Sequence, residues 1–354
     1  MNLLMITPAV DLKDSFHGFT HTWVNELGDR VDILFVITLK KGEADLGENV
    51  KLFSLDSKKN KISKFIYLNR LLLDIVPRVD IIFTHMFPEF PIFVAPYAKI
   101  FKKKIVMWRA HGHVSLTNRI SHVLVDKVVT PSKESFRIKS KKVTITGHGI
   151  DTDRFKPSLS QKSEEDKKTI LSVGRISPVK DYETLIKAAD SLIKEKGIKD
   201  LNFVIVGGAP IESEEEYFES LKNMVKDLKL KNNVKFVGSV PYDEVVNHYQ
   251  KCDIFISASQ TGSIDKAVLE AMACGKPAIT CNEAFEKVFE KYSSILMFKK
   301  NDPTNLVNKI THILQMDGIQ RNELCHNLRD IVEKGHSIES LADKLIKVFE
   351  DIKG

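Results

Sequence analysis

Two cations stand in one short segment, Gly174-Arg175-Ile176-Ser177-Pro178-Val179-Lys180-Asp181, which directly follows an apolar run at 169–173. Gly174 permits a tight turn at a strand end, Pro178 fixes φ ahead of a helix, and Asp181 is a candidate N-cap. Arg175 and Lys180 would then flank one strand-to-helix loop. A diphosphate leaving group gathers negative charge as its bond to carbon breaks, and fixed cations at that place lower the barrier. The alternative is an ordinary surface Arg and Lys on a loop.

A second segment runs from Ser259 to Pro277. Small polar residues, Ser259-Gln260-Thr261-Gly262-Ser263, follow an apolar run and open a helix, where backbone amides suit phosphate oxygens. In that helix Ile264, Ala267, Val268 and Ala271 form the core stripe, and Glu270 falls off it. A carboxylate so placed can accept hydrogen bonds from a ribose diol. The alternative is an exposed Glu paired with Lys266 at i,i+4.

The first half offers fewer such residues. Gly18 lies in Ser15-Phe16-His17-Gly18-Phe19, after the first apolar run. His111 lies in Arg109-Ala110-His111-Gly112-His113, after the run at 105–108, where a histidine beside a glycine can reach a cleft. Arg109 adds positive charge there, and His85, after the run at 81–84, is a further candidate on the acceptor side. His113 reads as a loop histidine with a local hydrogen bond. No G-x-G-x-x-G follows a strand, which weighs against a dehydrogenase, and no G-x-x-x-x-G-K-[ST] is present, which weighs against a P-loop kinase.

The elements that must position these residues alternate. In the first half, β-rich runs at 3–7, 31–37, 81–84, 105–108, 127–130 and 143–146 are separated by segments of helical spacing such as 62–75. A polar stretch at 158–168 without apolar periodicity reads as a linker. A second alternation follows: strands at 169–173, 203–206, 234–237, 254–257 and 278–280, with helices near 182–195, 214–228, 242–250 and from about 264. This is an α/β pattern of two Rossmann-like domains with parallel sheets, whose ligands bind beyond the carboxyl ends of the strands. The expected division is 1–160 and 166–336. A last helical stripe, Ile338, Leu341, Ala342, Leu345, Phe349 and Ile352, either stays with the second sheet or crosses back to the first domain as 337–354.

The chain of 354 residues is long enough for two domains, and 43% apolar with 28% charged residues excludes extensive disorder. Four cysteines, all in the second half, show neither C-x-x-C nor zinc spacing, so reduced thiols in a cytoplasmic protein are expected, with no metal. The opening apolar run lacks a basic flank and reads as a strand, not a signal peptide. The apolar stretch at 90–108 is too interrupted to span a bilayer. Residues 1–157 carry 25 Lys and Arg against 16 Asp and Glu, a net +9, while the rest carries 28 against 31, a net −3. The basic half, with Lys102-Lys103-Lys104, points either to an anionic partner, such as the inner face of a membrane or a phosphorylated acceptor, or to ordinary solvated lysines.

Together, Val173-Gly174-Arg175 with Lys180, Phe236-Val237-Gly238, Leu269-Glu270-Ala271-Met272-Ala273-Cys274-Gly275-Lys276-Pro277 and His148-Gly149-Ile150-Asp151-Thr152-Asp153-Arg154-Phe155 resemble the family 4 retaining glycosyltransferases of the GT-B fold. The resemblance covers nearly the whole chain, ordered from about 142 to 280 and loose before 100. It implies two Rossmann-like domains facing across a cleft and a nucleotide-sugar donor of the UDP or GDP type. It further implies a glycan, lipid-linked or small-molecule acceptor, transfer with retention, and no metal or nucleic acid. By matching positions, Arg175 and Lys180 hold the diphosphate, Glu270 the ribose, and Val237, Gly238, Ser239 and Val240 border the base. Thr261, Gly262, Ser263, Ile264, Asp265 and Leu269 line the donor, Gly18 lies near its phosphates, and His111 approaches the transferred sugar. The family places a second Glu eight residues before Glu270, where this chain has Gly262. Either Asp265 or the backbone amides of 261–264 then meet the sugar. A non-hydrolysing nucleotide-sugar epimerase and a catalytically silent donor-binding subunit are the competing readings.

Overall fold

The computed structural model describes residues 1–158, 167–209, 211–260 and 262–353. Most of the expected linker, and Thr261, lie outside the described residues. The chain divides into two compact units, Met1–Asp151 with Pro241–Asp243 and His336–Gly354, and Thr152–Val240 with Glu244–Gly335.

In the first unit, runs rich in Val, Ile, Leu and Phe form parallel strands, and the central ones are buried on both faces. They are β1 (Asn2–Val10), β2 (Ile33–Lys41), β3 (Val50–Ser54), β4 (Ile81–His85), β5 (Lys104–Trp108), β6 (Lys127–Thr130) and β7 (Val143–Ile145). Their order is β3-β2-β1-β4-β5-β6-β7, so the winding direction reverses between β1 and β4. Helices α1 (Phe19–Gly28), α2 (Lys61–Ile75), α3 (Glu89–Ile100) and α4 (Leu116–Leu124) connect them. The sequence pattern misses β3 because this edge strand has no fully buried residue and carries exposed Lys51. The interrupted apolar stretch at 90–108 divides into α3 and β5. Pro91 is tolerated in the first turn of α3, where its missing N–H breaks no helical bond.

The C-terminal helix (Ile338–Lys353) belongs to this first unit. Ile338, Leu341, Ala342, Leu345 and Phe349 are buried, Phe349 packs on Phe83 with ring centroids 5.4 Å apart, and Lys344 donates to the Thr146 carbonyl at 3.1 Å. Ile150 forms a parallel bridge with Ser337, which fixes where the helix begins.

The second unit holds β8 (Lys168–Val173), α5 (Tyr182–Lys194), β9 (Leu201–Val206), α6 (Glu212–Asp227), β10 (Val234–Gly238), α7 (Val245–Lys251), β11 (Ile254–Ser257), α8 (Lys266–Ala273) and β12 (Ala278–Thr280). The parallel order is β10-β9-β8-β11-β12. Winding therefore reverses between β8 and β11, which brings the loops after these two strands side by side. α7 starts later than its apolar spacing suggests, because Pro241-Tyr242-Asp243 packs with the first unit, where the Tyr242 ring lies against Phe19. Helices α9 (Pro303–Gln315) and α10 (Gly318–Gly335) cover the sheet, α9 on α5 and α10 on α8.

Leu345 is fully buried in the C-terminal helix. Leu345→Ala should cost about 2–5 kcal/mol in urea-induced unfolding, the range for a buried leucine truncated to alanine. An unshifted midpoint for the first unit would show that this helix does not stabilise it.

Candidate functional site

The loop after β8 is shaped by its own sequence. Gly174 has φ 155°, and Gly207 at the end of β9 has φ 149°. A Cβ at Gly207 would collide with the Gly174 carbonyl, so two strand ends meet where only glycine fits. Pro178–Lys180 forms one 3-10 turn, and Asp181 follows in the left-handed region at φ 47°. Its carboxylate accepts from the Thr184 N–H at 3.3 Å and the Thr184 hydroxyl at 2.7 Å, capping α5 as expected. This turn folds Lys180 back over Gly174.

Lys180 Nζ meets Asp265 Oδ2 at 2.8 Å. The same oxygen accepts from the Ser257 hydroxyl at 2.9 Å, and Oδ1 accepts from the Ala267 N–H at 3.3 Å, which makes Asp265 the N-cap of α8. Burial alone would raise the Asp265 carboxyl. The Lys180 charge and hydrogen bond, with Ser257 and the Ala267 amide, outweigh it and hold the group below the ordinary 3.8. Gln260 adds two links between the loops: its N–H donates to the Val179 carbonyl at 3.0 Å and its side-chain amide to Asp181 at 3.2 Å. One Asp265 oxygen thus joins the loops after β8 and β11, and the other caps α8.

Arg175 is paired through Nε with Glu214 Oε1 at 3.1 Å. Glu214, from the first turn of α6, is buried, while the Arg175 side chain is 45% exposed, so its other N–H groups are accessible to an anion. On the far side of β9, Gly238 has φ 88° and its carbonyl accepts from the Gly207 N–H at 2.9 Å. A Cβ on Gly208 would strike the Ser239 hydroxyl. Val237, Gly238, Ser239 and Val240 therefore continue the same line of strand ends. The adjacent Gly207 and Gly208, immediately after an apolar run, are the signal that could have revealed this packing.

Glu270 differs from expectation. It is 5% exposed, and every residue of α8 from Ala267 to Ala273 is buried, because the helix is covered by α10 on one side and the sheet on the other. Glu270 Oε2 accepts from the Tyr249 hydroxyl at 2.8 Å and Oε1 pairs with Lys266 at 3.0 Å. The i,i+4 pair exists, but inside the protein. Burial and the Glu270 carboxylate push the Tyr249 phenol well up, so it remains a donor. Periodicity could not identify Tyr249, which reads as a core aromatic of α7. Leu269 is fully buried, Ile264 is buried, and Ser263 is half-buried with its carbonyl bonded by Asn282. Gly262 is buried at φ 67°, a left-handed conformation that a glutamate adopts only under strain.

The remaining candidates lie in the first unit. Gly18 has ordinary helical dihedrals, but a Cβ there would sit 2.5 Å from the Tyr242 Cβ. His111 is exposed, and its Nδ1 accepts from the His113 N–H at 3.1 Å. An amide can only donate, so the neutral ring carries its proton on Nε2. Partial burial, then Arg109 and His113, lower its pKa from 6.5 and keep it neutral. His85 is a core residue: it is fully buried, bonded to the Thr7 hydroxyl at 3.0 Å, packed between Trp23 and Trp108, and depressed by burial to about 3. Among the described residues no group of three or more His, Cys, Asp or Glu is placed to hold a metal ion. None of the four cysteines forms a disulfide.

Residues 153–334 match the family model of the glycosyl transferases group 1. YtcC of Bacillus subtilis, itself assigned as a glycosyltransferase by inference, is 25% identical over 257 residues, 68% of this chain and 61% of its own length. A GDP-mannose-dependent alpha-(1-6)-phosphatidylinositol monomannoside mannosyltransferase of Mycobacterium tuberculosis is 31% identical over 148 residues, 38% of this chain and 36% of its own. The crystal structure of Anabaena HepE in complex with UDP and glucose superposes with a TM-score of 0.78 at 17% identity, covering 99% of each chain. That likeness carries the GT-B fold.

The Lys180–Asp265 pair predicts a specific acid response. The folded Asp265 carboxyl titrates below 3.8, so its stabilisation is complete above that value and is lost as pH falls through the lower, folded value. Asp265→Asn should reduce unfolding free energy at pH 7 by about 2 kcal/mol and flatten the acid limb of a stability–pH curve. Parallel curves for the two proteins would show that the pair contributes nothing.

Proposed function

The chain belongs to the glycosyl transferases group 1, and on that premise we propose that it moves a sugar from a nucleotide diphosphate to an acceptor with retention of configuration. The observation that carries this reading is the fixing of two cations, Arg175 and Lys180, on the strand-end loops of the second unit, beside the point where its sheet reverses. The acceptor oxygen forms a bond to the anomeric carbon as the bond from that carbon to the diphosphate breaks. The electron pair leaves with the nucleoside diphosphate, and the acceptor proton passes to a phosphate oxygen. Arg175 and the two Lys180 N–H groups not given to Asp265 donate to that oxygen set as its charge grows. Glu270, held by Tyr249 and Lys266, accepts from the ribose hydroxyls. Val237 to Val240 border the base, and the 261–265 segment and Leu269 shape the donor site, Asp265 by positioning Lys180.

The base is of the UDP or GDP type: HepE is crystallised with UDP and the mycobacterial relative uses GDP-mannose. In the first unit, Gly18 and His111 are proposed to serve the donor phosphates and the transferred sugar, His111 by donating from Nε2. Among the described residues no helix is long and apolar enough to cross a membrane. The net +9 of residues 1–157, with Lys102-Lys103-Lys104, supports peripheral contact with an anionic membrane surface on the cytoplasmic side.

Arg175→Ala and Lys180→Ala should each lower donor turnover about 30- to 1,000-fold, the effect of about 2–4 kcal/mol of transition-state stabilisation. Turnover within a few-fold of wild type would refute the phosphate assignment. His111→Ala should lower kcat about 100-fold. In the wild type, kcat should fall on acidification with a midpoint below 6.5, since protonation at Nδ1 ends its acceptance from His113. A kcat–pH profile unchanged by His111→Ala would remove His111 from catalysis. Co-sedimentation with anionic vesicles should be strong at low salt and weaken at physiological salt, and salt-independent or absent binding would exclude an electrostatic membrane contact.

A further inference from the structure

A cavity of about 860 Å³ lies wholly within the first unit, between α2, α3 and the carboxyl ends of β1 and β2. Its interior is hydrocarbon: Ile6 and Ile37 from the strands, Leu68 and Leu72 from α2, and Phe90 from α3. At its rim Phe65 and Phe93 are 57% and 50% exposed. Such a volume is in the range of small-molecule sites, but few polar groups face it, so it cannot satisfy the hydroxyls of a sugar.

The polar groups that do line it are mostly cationic. Lys61, Lys64 and Arg109 are opposed by Glu89 alone. Neither lysine makes an ion pair among the described residues. Arg109 donates to the Met86 carbonyl at 2.6 Å and its Nε is buried without a hydrogen-bond partner; among the described residues it forms no ion pair, and Glu89 acts on it only at longer range. A half-buried guanidinium left this way carries an unmet demand for an anion. Arg109 and Ser115, which both line the cavity, also bracket the loop that carries His111.

Apolar depth with a cationic mouth beside the His111 loop is complementary to one chemistry. We infer that the cavity binds the chain of an amphiphilic acceptor, an alkyl or prenyl tail bearing a phosphate head, with the head at Lys61, Lys64 and Arg109. This inference rests on the transferase reading and names its acceptor class. The tail removes hydrocarbon from water, the head supplies an anion to Arg109, and a phosphate oxygen of the head, which receives the sugar, is set next to the His111 loop.

The test uses the full chain and dodecyl phosphate below its micelle concentration, titrated by calorimetry, with inorganic phosphate and dodecyltrimethylammonium as controls. Saturable one-to-one binding of dodecyl phosphate, at least tenfold tighter than either control, is expected. Leu68→Trp, which fills the cavity, should weaken it at least tenfold. Lys61→Ala with Lys64→Ala, on the helix surface where folding is not at risk, should weaken it about tenfold. No binding, equal binding of the trimethylammonium compound, or equal binding by Leu68→Trp and the lysine variant would overturn the inference. So would association only with anionic vesicles and indifference to these substitutions, which would mark a surface contact. UDP and GDP titrations separate the two claims: loss of both with dodecyl phosphate binding intact would sink the transferase reading and leave the cavity assignment standing.

Discussion

The second unit depends on the ion pair between Lys180 and Asp265. The two residues are far apart in sequence and meet only because the sheet changes winding direction between β8 and β11. At that reversal neighbouring loops are not separated by a crossover helix, so their side chains can join. Asp265 caps α8, accepts from Ser257 at the end of β11 and holds Lys180 from the loop after β8. One carboxylate therefore ties a strand, a helix and a second loop to the same point. The pair is largely buried, so its attraction is opposed by the desolvation of both charges, and removing one partner is costly chiefly because it leaves the other charge stranded. Its consequence is geometric: the Lys180 ammonium is held at one point beside the end of β11.

The same logic of burial governs Glu270. A carboxylate 5% exposed would be costly without partners, and it has two, the Tyr249 hydroxyl and the Lys266 ammonium. Tyr249 is packed against Phe155 and Phe255, so its hydroxyl has little freedom to move away. Arg175 is held differently. Its partner Glu214 is buried and fixed at the start of α6, but the arginine itself is half-exposed. The second unit thus holds one largely buried cation and one half-exposed cation, each beside a buried counter-charge.

Much of this was legible in the sequence. Strands such as β6, β11 and β12 stand out because each is a short run buried on both faces, and Gly174, Pro178 and Asp181 announce a turn and a helix cap by residue type alone. What was not legible is everything set by distant neighbours. Asp265 looks like a free carboxylate until Lys180 is placed beside it. Glu270 looks surface-facing because its helix stripe points elsewhere, whereas α8 is enclosed on all sides. His85 has the position of a site residue at a strand end, yet Trp23 and Trp108 close over it. Edge strand β3 lacks the buried residues that would mark it. The C-terminal helix shows its apolar stripe plainly, but the bridge from Ser337 to Ile150 is what assigns that stripe to the first unit.

Gly262 constrains what this loop can carry. The backbone there is left-handed at φ 67° and buried, so a glutamate at this position would carry both a conformational cost of about 1–2 kcal/mol and a desolvated charge. Asp265 is already committed to Lys180, Ser257 and the Ala267 amide, and turning it toward a sugar would release all three. The turn through Gly262 is thus held by backbone conformation and by neighbouring side chains, with the Ser263 carbonyl accepting from Asn282. Gln260 adds its own hold on Val179 and Asp181. The shape of this loop is therefore set by the residues that hold it, Gln260 and Asn282, more than by any carboxylate of its own.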